Sequence, residues 1–133
     1  MTPWIKRLLG MHPAEPVADR RVQPAPPRAD RDNVQLEFGG PITPGHIEID
    51  PSTGQQKDYV VLTPGERAKG FVRPVRQEYR HLSCGAVTTM SLPIAETYAR
   101  DPQFYGTTYC VGCRRHLPVG EFVWAGPRLR VGY

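Results

Sequence analysis

The sequence predicts a small α+β domain, zinc-ribbon-like, with short strands and one main helix, preceded by a disordered proline-rich arm. Two observations predict the domain: short runs that alternate apolar and polar residues, and three cysteines and a histidine grouped in two close pairs. A third observation, the uneven spread of 15 prolines, predicts the arm. With 133 residues the chain has the length of one domain, which we place at residues 34–133.

Residues 1–33 are expected to form a flexible Pro/Arg-rich arm with a short apolar N-terminal segment. Residues 12–33 contain five prolines and no aromatic residue, so they bury too little apolar surface to offset the cost of ordering. In residues 3–11, Trp4 and Leu8 lie on one face of a two-turn helix. We expect this segment to dock on a partner protein, with a membrane surface or a frayed terminus as the alternatives.

The first half of the domain is expected to be extended. Residues 34–38, 46–50 and 57–62 alternate or are rich in β-branched residues, as strands are. Residues 51–54 (PSTG) suit a turn, which would join the last two strands into a hairpin.

A short helix is expected after these strands. Thr63 and Glu66 have the spacing of a capping box, with Pro64 at the first helical position, and Gly70 ends the helix. Residues 71–79 then read as extended, and Pro74 bars them from a central strand.

The main helix is expected to begin at Ser91 or Leu92 and to end at Asp101, before Pro102. Short strands are expected at residues 107–110 and 121–124. The apolar stripe of the helix and the nearby aromatic residues are the core candidates: Ile94, Ala95, Tyr98, Ala99, Phe104, Tyr105, Tyr109, Phe122 and Trp124.

Two pairs of metal-binding residues point to a zinc site: His81 with Cys84, and Cys110 with Cys113. In each pair two residues intervene, so that one tight turn presents both side chains to the same ion. Zinc takes four such ligands tetrahedrally, and a set without an open position is a structural site. Gly85 supports the first turn, because the position after such a turn often needs a positive φ.

Other ligand sets and chemistries stay open. His116 is the rival fourth ligand, two residues beyond Cys113, although symmetric pairs favour His81. A redox-active CxxC pair lacks the surrounding βαβ pattern, and three cysteines cannot close a disulfide framework.

Lys6 and Arg7 interrupt the first apolar stretch, which argues against a secretory signal. We therefore expect a reducing, intracellular location in the cytoplasm.

No catalytic motif accompanies the metal-binding pairs. HExxH, GxGxxG, GxxxxGK[ST] and GxSxG are absent. The net charge of +4 is spread along the chain, which is weak support for a nucleic-acid partner. Arg114 and Arg115, next to Cys113, are the most suggestive binding residues. No apolar run approaches the roughly 18 residues of a spanning helix, so we expect no transmembrane segment.

The segment from Thr53 to Trp124 resembles a family of small proteins of unknown function found in bacteriophages and prophages of GC-rich bacteria. The strings with this resemblance are TGQQKDYVVLTPGERAKGFVRPVR (53–76), YRHLSCG (79–85), TTM (88–90), IAETYARDPQFYG (94–106) and TYCVGCRRHLPVGEFVW (108–124). The resemblance implies a zinc-binding fold and a phage or mobile-element origin, and it implies no activity.

The leading functional hypothesis is a non-enzymatic binding module of phage or prophage origin, stabilised by one structural zinc, with a protein partner. The first alternative is a zinc protein that binds nucleic acid, in which aromatic and arginine side chains hold a strand. The second is a zinc-dependent hydrolase whose general base the sequence does not identify.

Overall fold

A computed structural model describes residues 25–133. The predictions for the N-terminal segment, including Trp4 and Leu8, fall outside these residues. Within them the chain is a mixture of short antiparallel strands and few helices, as expected for an α+β domain. The strands are β1 Val34–Leu36, β2 Val60–Leu62, β3 Glu78–His81, β4 Val87–Thr89, β5 Thr107–Cys110, β6 Arg115–Pro118 and β7 Phe122–Trp124. The helices are α1 Pro64–Arg67, α2 Leu92–Arg100 and two 3-10 turns, Pro44–Ile47 and Val119–Glu121.

The strands form three small antiparallel sheets. β1 pairs with β2, β3 lies between β4 and β7, and β5 pairs with β6. In the three-stranded sheet Tyr79 stands opposite both Thr88 and Trp124. In the β5–β6 hairpin, Cys110 stands opposite Arg115. The ends of β3 and β5 supply the predicted metal ligands, so these two sheets position the site.

The main core lies between the three-stranded sheet, α2 and β5. α2 begins after Ser91, as the sequence predicts, ends at Arg100, one residue before the expected end, and buries the face that includes Ala95, Tyr98 and Ala99. The core cluster also includes a tyrosine of β3 that the sequence analysis did not assign to it. Its buried members are Tyr79, Met90, Ala95, Tyr98, Cys110, Phe122, Trp124 and Val131.

The expected hairpin of residues 46–50 and 57–62 is replaced by a looser arrangement. Pro44–Ile47 is a 3-10 turn, and a single bridge joins Ile49 to Gln56. β2 pairs with β1 instead, where Val61 and Leu62 become fully buried. Ile47 and Ile49 are 64% and 51% exposed, so residues 46–50 have no buried face to hold a strand in register.

The predicted cap of α1 is only half formed. The Thr63 hydroxyl accepts a hydrogen bond from the backbone N–H of Glu66 (3.3 Å). The Glu66 side chain, however, turns into the protein, where it is fully buried and meets Arg100 of α2 (Nη2–Oε2 3.2 Å). We call the side chains and amides around it the Glu66 cluster: Glu66, Arg100, Lys69, Asn33 and the backbone N–H of Asp30.

The Glu66 cluster shows that the folded contacts begin before Val34. The Asp30 amide donates to the Glu66 carboxylate (3.0 Å), and Arg31 forms an ion pair with Asp101 (2.6 Å). Residues 30–33, which the sequence analysis assigned to the arm, therefore contact α1 and the end of α2. None of the helices within residues 25–133 has the length and apolar character needed to cross a bilayer.

Candidate metal centre

The four predicted ligands lie together at the ends of two sheets. His81 is the last residue of β3, and Cys84 follows in the turn toward β4. Cys110 ends β5, and Cys113 lies in the turn to β6. Their ligand atoms all lie within 4.8 Å of one another. We call these four residues the metal cluster.

The spacing of the ligand atoms fits a single ion at their centre. His81 Nδ1 lies 3.3 Å from Cys84 Sγ and 3.5 Å from Cys113 Sγ, and the Cys84 and Cys110 sulfurs are 3.5 Å apart. Metal–ligand bonds of about 2.0–2.3 Å in a tetrahedron place neighbouring ligand atoms roughly 3.5–3.8 Å apart. These three separations are close to those of a tetrahedral site.

The two turns of the metal cluster are built alike. In each, the residue after the second ligand donates its N–H to the carbonyl of the first ligand: Gly85 to His81 (2.8 Å) and Arg114 to Cys110 (2.7 Å). Both donors have a positive φ, +76° at Gly85 as predicted and +58° at Arg114. Arginine accepts this conformation at a cost of about 1–2 kcal/mol, so tertiary contacts must hold Arg114 there.

Backbone amides also point at the sulfurs. Ala86 N–H donates to Cys84 Sγ (3.4 Å), and Cys113 N–H donates to Cys110 Sγ (3.3 Å). Such bonds favour the thiolate that a metal requires. Gly112 allows the two turns to approach, because a Cβ there would lie 2.7 Å from Ala86 Cβ and 3.1 Å from Cys84 Sγ.

Glu121 orients the histidine ligand. Its Oε1 lies 2.9 Å from His81 Nε2, which leaves Nδ1 to face the three sulfurs. This bond is the main cause of a raised pKa at His81. A carboxylate on the far nitrogen is the usual outer partner of a histidine that ligates a metal. The sequence analysis missed Glu121, because only the pairing of β3 with β7 brings it to His81.

Two thiols of the metal cluster, those of Cys84 and Cys113, differ in acidity. The Ala86 amide, and then His81, lower the pKa of Cys84 to about 7. Burial, and then its bond with Cys110, raise the pKa of Cys113 to about 11. Three sulfurs this close cannot all ionise at neutral pH unless a cation balances their charge. The donor set thus has the chemistry of a metal site.

His116, the alternative fourth ligand, contacts two tyrosines instead. His116 Nε2 is 2.9 Å from the Tyr59 hydroxyl, and its ring packs against Tyr109 at 5.4 Å. Burial lowers the pKa of His116. It lies outside the metal cluster, within a group of aromatic rings.

The two arginines singled out by the sequence differ in their contacts. The Arg114 guanidinium donates to the Ser52 carbonyl, and Gly54 packs on the Arg114 carbonyl so closely that a Cβ there would overlap it. Arg115 is exposed in β6 and makes no hydrogen bond through its side chain within residues 25–133. Other arginines are engaged by backbone carbonyls: Arg73 by Tyr133 and Arg80 by Gly85.

Comparison of the chain with known protein families, with curated proteins and with solved structures finds no match.

Proposed function

We propose that the chain is a non-enzymatic binding module whose C-terminal half is stabilised by one structural zinc. The observation behind this proposal is the closed set of four ligand atoms, three sulfurs and one imidazole nitrogen, within 4.8 Å of one another. Zinc is the metal that this donor set favours, because soft thiolates with one imidazole suit its tetrahedral shell.

The arrangement supports a structural rather than a catalytic ion. Four protein ligands fill a tetrahedral zinc and leave no position for a water or substrate. The Glu121 carboxylate is bonded to His81 Nε2 and so orients a ligand instead of serving as a base. This favours the binding module over the hydrolase alternative.

The contacts of the aromatic and arginine side chains favour a protein or small-molecule partner over a nucleic acid. Tyr98, Phe122 and Trp124 are at most 8% exposed, so their rings are unavailable for stacking on bases. The Arg114 guanidinium is held by the Ser52 carbonyl. DNA binding whose affinity falls steeply with salt would contradict this part of the proposal.

Metal analysis of the purified chain tests the zinc assignment. We expect one zinc per chain in the wild type and in His116→Ala, and none in Cys84→Ala. Loss of zinc with His116→Ala alone, or no zinc in the wild type, would contradict it.

Substitution by Co²⁺ tests whether the shell is closed. We expect the visible bands of a tetrahedral cobalt–thiolate site, unchanged when azide or cyanide is added. Bands that shift with added anion would show an open position and would favour the hydrolase. The phage or prophage origin is a further part of the proposal, and it rests on the sequence resemblance; neighbouring phage genes would support it.

A further inference from the structure

A cleft of about 510 Å³ lies beside the core and away from the metal cluster. One wall is the segment from Asp50 to Tyr59, and the other is formed by the N-terminal half of α2 with parts of β3, β4 and β5. This volume is within the range of pockets that hold small ligands. No residue of the metal cluster lines it.

Glu37 is the unusual member of the lining. It follows β1, is only 9% exposed, and its carboxylate makes no hydrogen bond or ion pair among residues 25–133. Its backbone N–H is bonded to the Tyr59 carbonyl (2.8 Å), which holds it at the cleft wall. The oxygens of this carboxylate are not fully enclosed, so a cation or a hydrogen-bond donor of a ligand in the cleft can contact them.

The other charged groups of the cleft are already engaged. Asp50 accepts bonds from the amide and hydroxyl of Ser52 (2.9 and 2.7 Å). Lys57 faces solvent and pairs with Glu48 (3.3 Å). The lining thus carries two carboxylates, Glu37 and Asp50, and one ammonium group, that of Lys57, in a chain whose net charge is +4. Electrostatic complementarity then favours a cationic ligand over an anionic one.

Aromatic rings surround the same space. Five tyrosines line the cleft, and four of their hydroxyls are bonded within the protein: Tyr59, Tyr79, Tyr105 and Tyr109. Tyr98, which is 3% exposed, has a hydroxyl without a partner in the described part of the chain, as does the neighbouring Ser91. The Tyr98 and Tyr105 rings pack 4.9 Å apart and form a continuous aromatic wall.

We propose that this cleft binds an organic ammonium ion, with Glu37 as its counter-charge and the half-buried rings of Tyr59 and Tyr105 beside its alkyl groups. Ammonium groups are attracted to aromatic faces, most strongly where water is excluded. The ammonium group belongs either to a free small molecule or to a lysine side chain of a partner peptide. This inference deepens the proposed binding function and does not depend on the identity of the metal.

Titration of the metal-loaded full chain, followed by NMR, tests the charge requirement. Choline is the cationic probe and 3,3-dimethyl-1-butanol is its uncharged isostere. We expect saturable binding of choline that is at least about tenfold tighter than that of the isostere. Equal affinity for the two, or no saturable binding of choline, n-butylammonium or Nα-acetyl-lysinamide up to about 50 mM, would overturn the proposal.

The variant Glu37→Gln tests the counter-charge at nearly constant shape. We expect choline affinity to fall about tenfold or more. Glu78→Gln is the matched control, because Glu78 is exposed on β3 and points away from the side of Tyr79. Unchanged choline binding in a folded Glu37→Gln variant would overturn the proposal. If that variant does not fold, the comparison of choline with its isostere on the wild type decides.

The same probes separate the two sources of the cation. Tighter binding of Nα-acetyl-lysinamide than of n-butylammonium assigns the cleft to a lysine in a peptide, and the reverse order assigns it to a free amine. Zinc content is measured throughout, so that a failure of cation binding is distinguished from a failure of the zinc proposal.

Discussion

The metal cluster and the Glu66 cluster both join segments that are far apart in the sequence, but they differ in what balances their charge. In the Glu66 cluster a buried carboxylate meets a guanidinium of the same chain, 34 residues away. In the metal cluster all three sulfurs carry the same sign when ionised, and the Glu121 carboxylate adds a further negative charge. The first cluster has its counter-charges within the chain, although Arg100 Nη1 has no partner among residues 25–133, whereas the second would take its counter-charge from a bound ion.

The two clusters stabilise different parts of the chain. The Glu66 cluster holds α1 and residues 30–33 against the end of α2 through internal hydrogen bonds. The metal cluster holds the β3–β4 and β5–β6 turns, which are short and expose Leu82 and Val111. Removal of the metal should therefore loosen the sheet ends first and the α1–α2 contact last.

Loss of a metal ligand should destabilise the protein most. Cys110→Ala removes a fully buried sulfur, and a structural zinc contributes roughly 10–16 kcal/mol to folding. We expect the variant to bind no zinc and to lose its cooperative thermal transition by circular dichroism. Wild-type protein treated with a zinc chelator should behave in the same way. A Cys110→Ala variant that keeps the wild-type transition would show that the ion does not hold the fold.

The next largest effect is expected in the Glu66 cluster. Arg100→Met leaves the Glu66 carboxylate buried with one partner fewer, which should cost about 3 kcal/mol in urea unfolding. Arg31→Met is the control, because the exposed Arg31–Asp101 pair should contribute less than about 1 kcal/mol. We expect the double variant Arg100→Met/Glu66→Leu to recover part of the loss. Equal effects at Arg100 and Arg31 would contradict the importance of this cluster.

Acid should weaken the Glu66 cluster over a defined range. Lys69, and then the Asp30 amide, lower the pKa of Glu66 from an ordinary 4.5 to about 2. Its stabilising contribution is therefore present above pH 4.5 and is lost as the pH falls toward 2. We expect the difference in unfolding free energy between wild type and Glu66→Gln to shrink over that range. Metal release affects both proteins alike, so a constant difference would contradict the assignment.

A smaller effect is expected from the outer partner of His81. Glu121→Ala frees His81 Nε2, and loss of such a partner lowers metal affinity about 10- to 100-fold. Competition with a chelating dye measures this change. Glu78→Ala, which alters an exposed carboxylate on the same strand as His81, should leave the affinity unchanged. An equal loss in the two variants would mean that Glu121 acts only through overall charge.

The smallest effect is expected in the backbone of the first turn. Gly85 has a φ of +76° with open space around its Cα, so Gly85→Ala should cost about 1 kcal/mol through backbone strain alone. Gly120→Ala is the control, because its surroundings are equally open and its φ is not positive. Urea unfolding of the zinc-loaded proteins compares them. Equal stabilities would show that the turn tolerates alanine and that the metal cluster does not depend on glycine there.

The two clusters also differ in how far the sequence could predict them. Each pair of metal ligands lies within four residues. This spacing predicts the two turns, the positive φ of Gly85 and the four candidate ligands. Glu66 has an equally clear local pattern, the capping box, but burial against Arg100 overrides half of it. Glu37 and Glu121 have no local signal, because strand pairing alone places one at the cleft and the other at His81. The first sheet also lacks a local signal for its pairing. The sequence predicts β1 and β2 as strands, but whether they pair with each other depends on which of their faces become buried.

The contact between Gly54 and Arg114 joins the two sites of the molecule. The turn that contains Ser52, Thr53 and Gly54 forms part of the cleft wall, and it is held by Arg114 and by the Tyr109 hydroxyl. Arg114 in turn belongs to the second metal-binding turn. An ion that fixes this turn thereby fixes the wall of the cleft. Thermodynamic reciprocity then requires that a ligand in the cleft tighten the hold on the ion by the same factor.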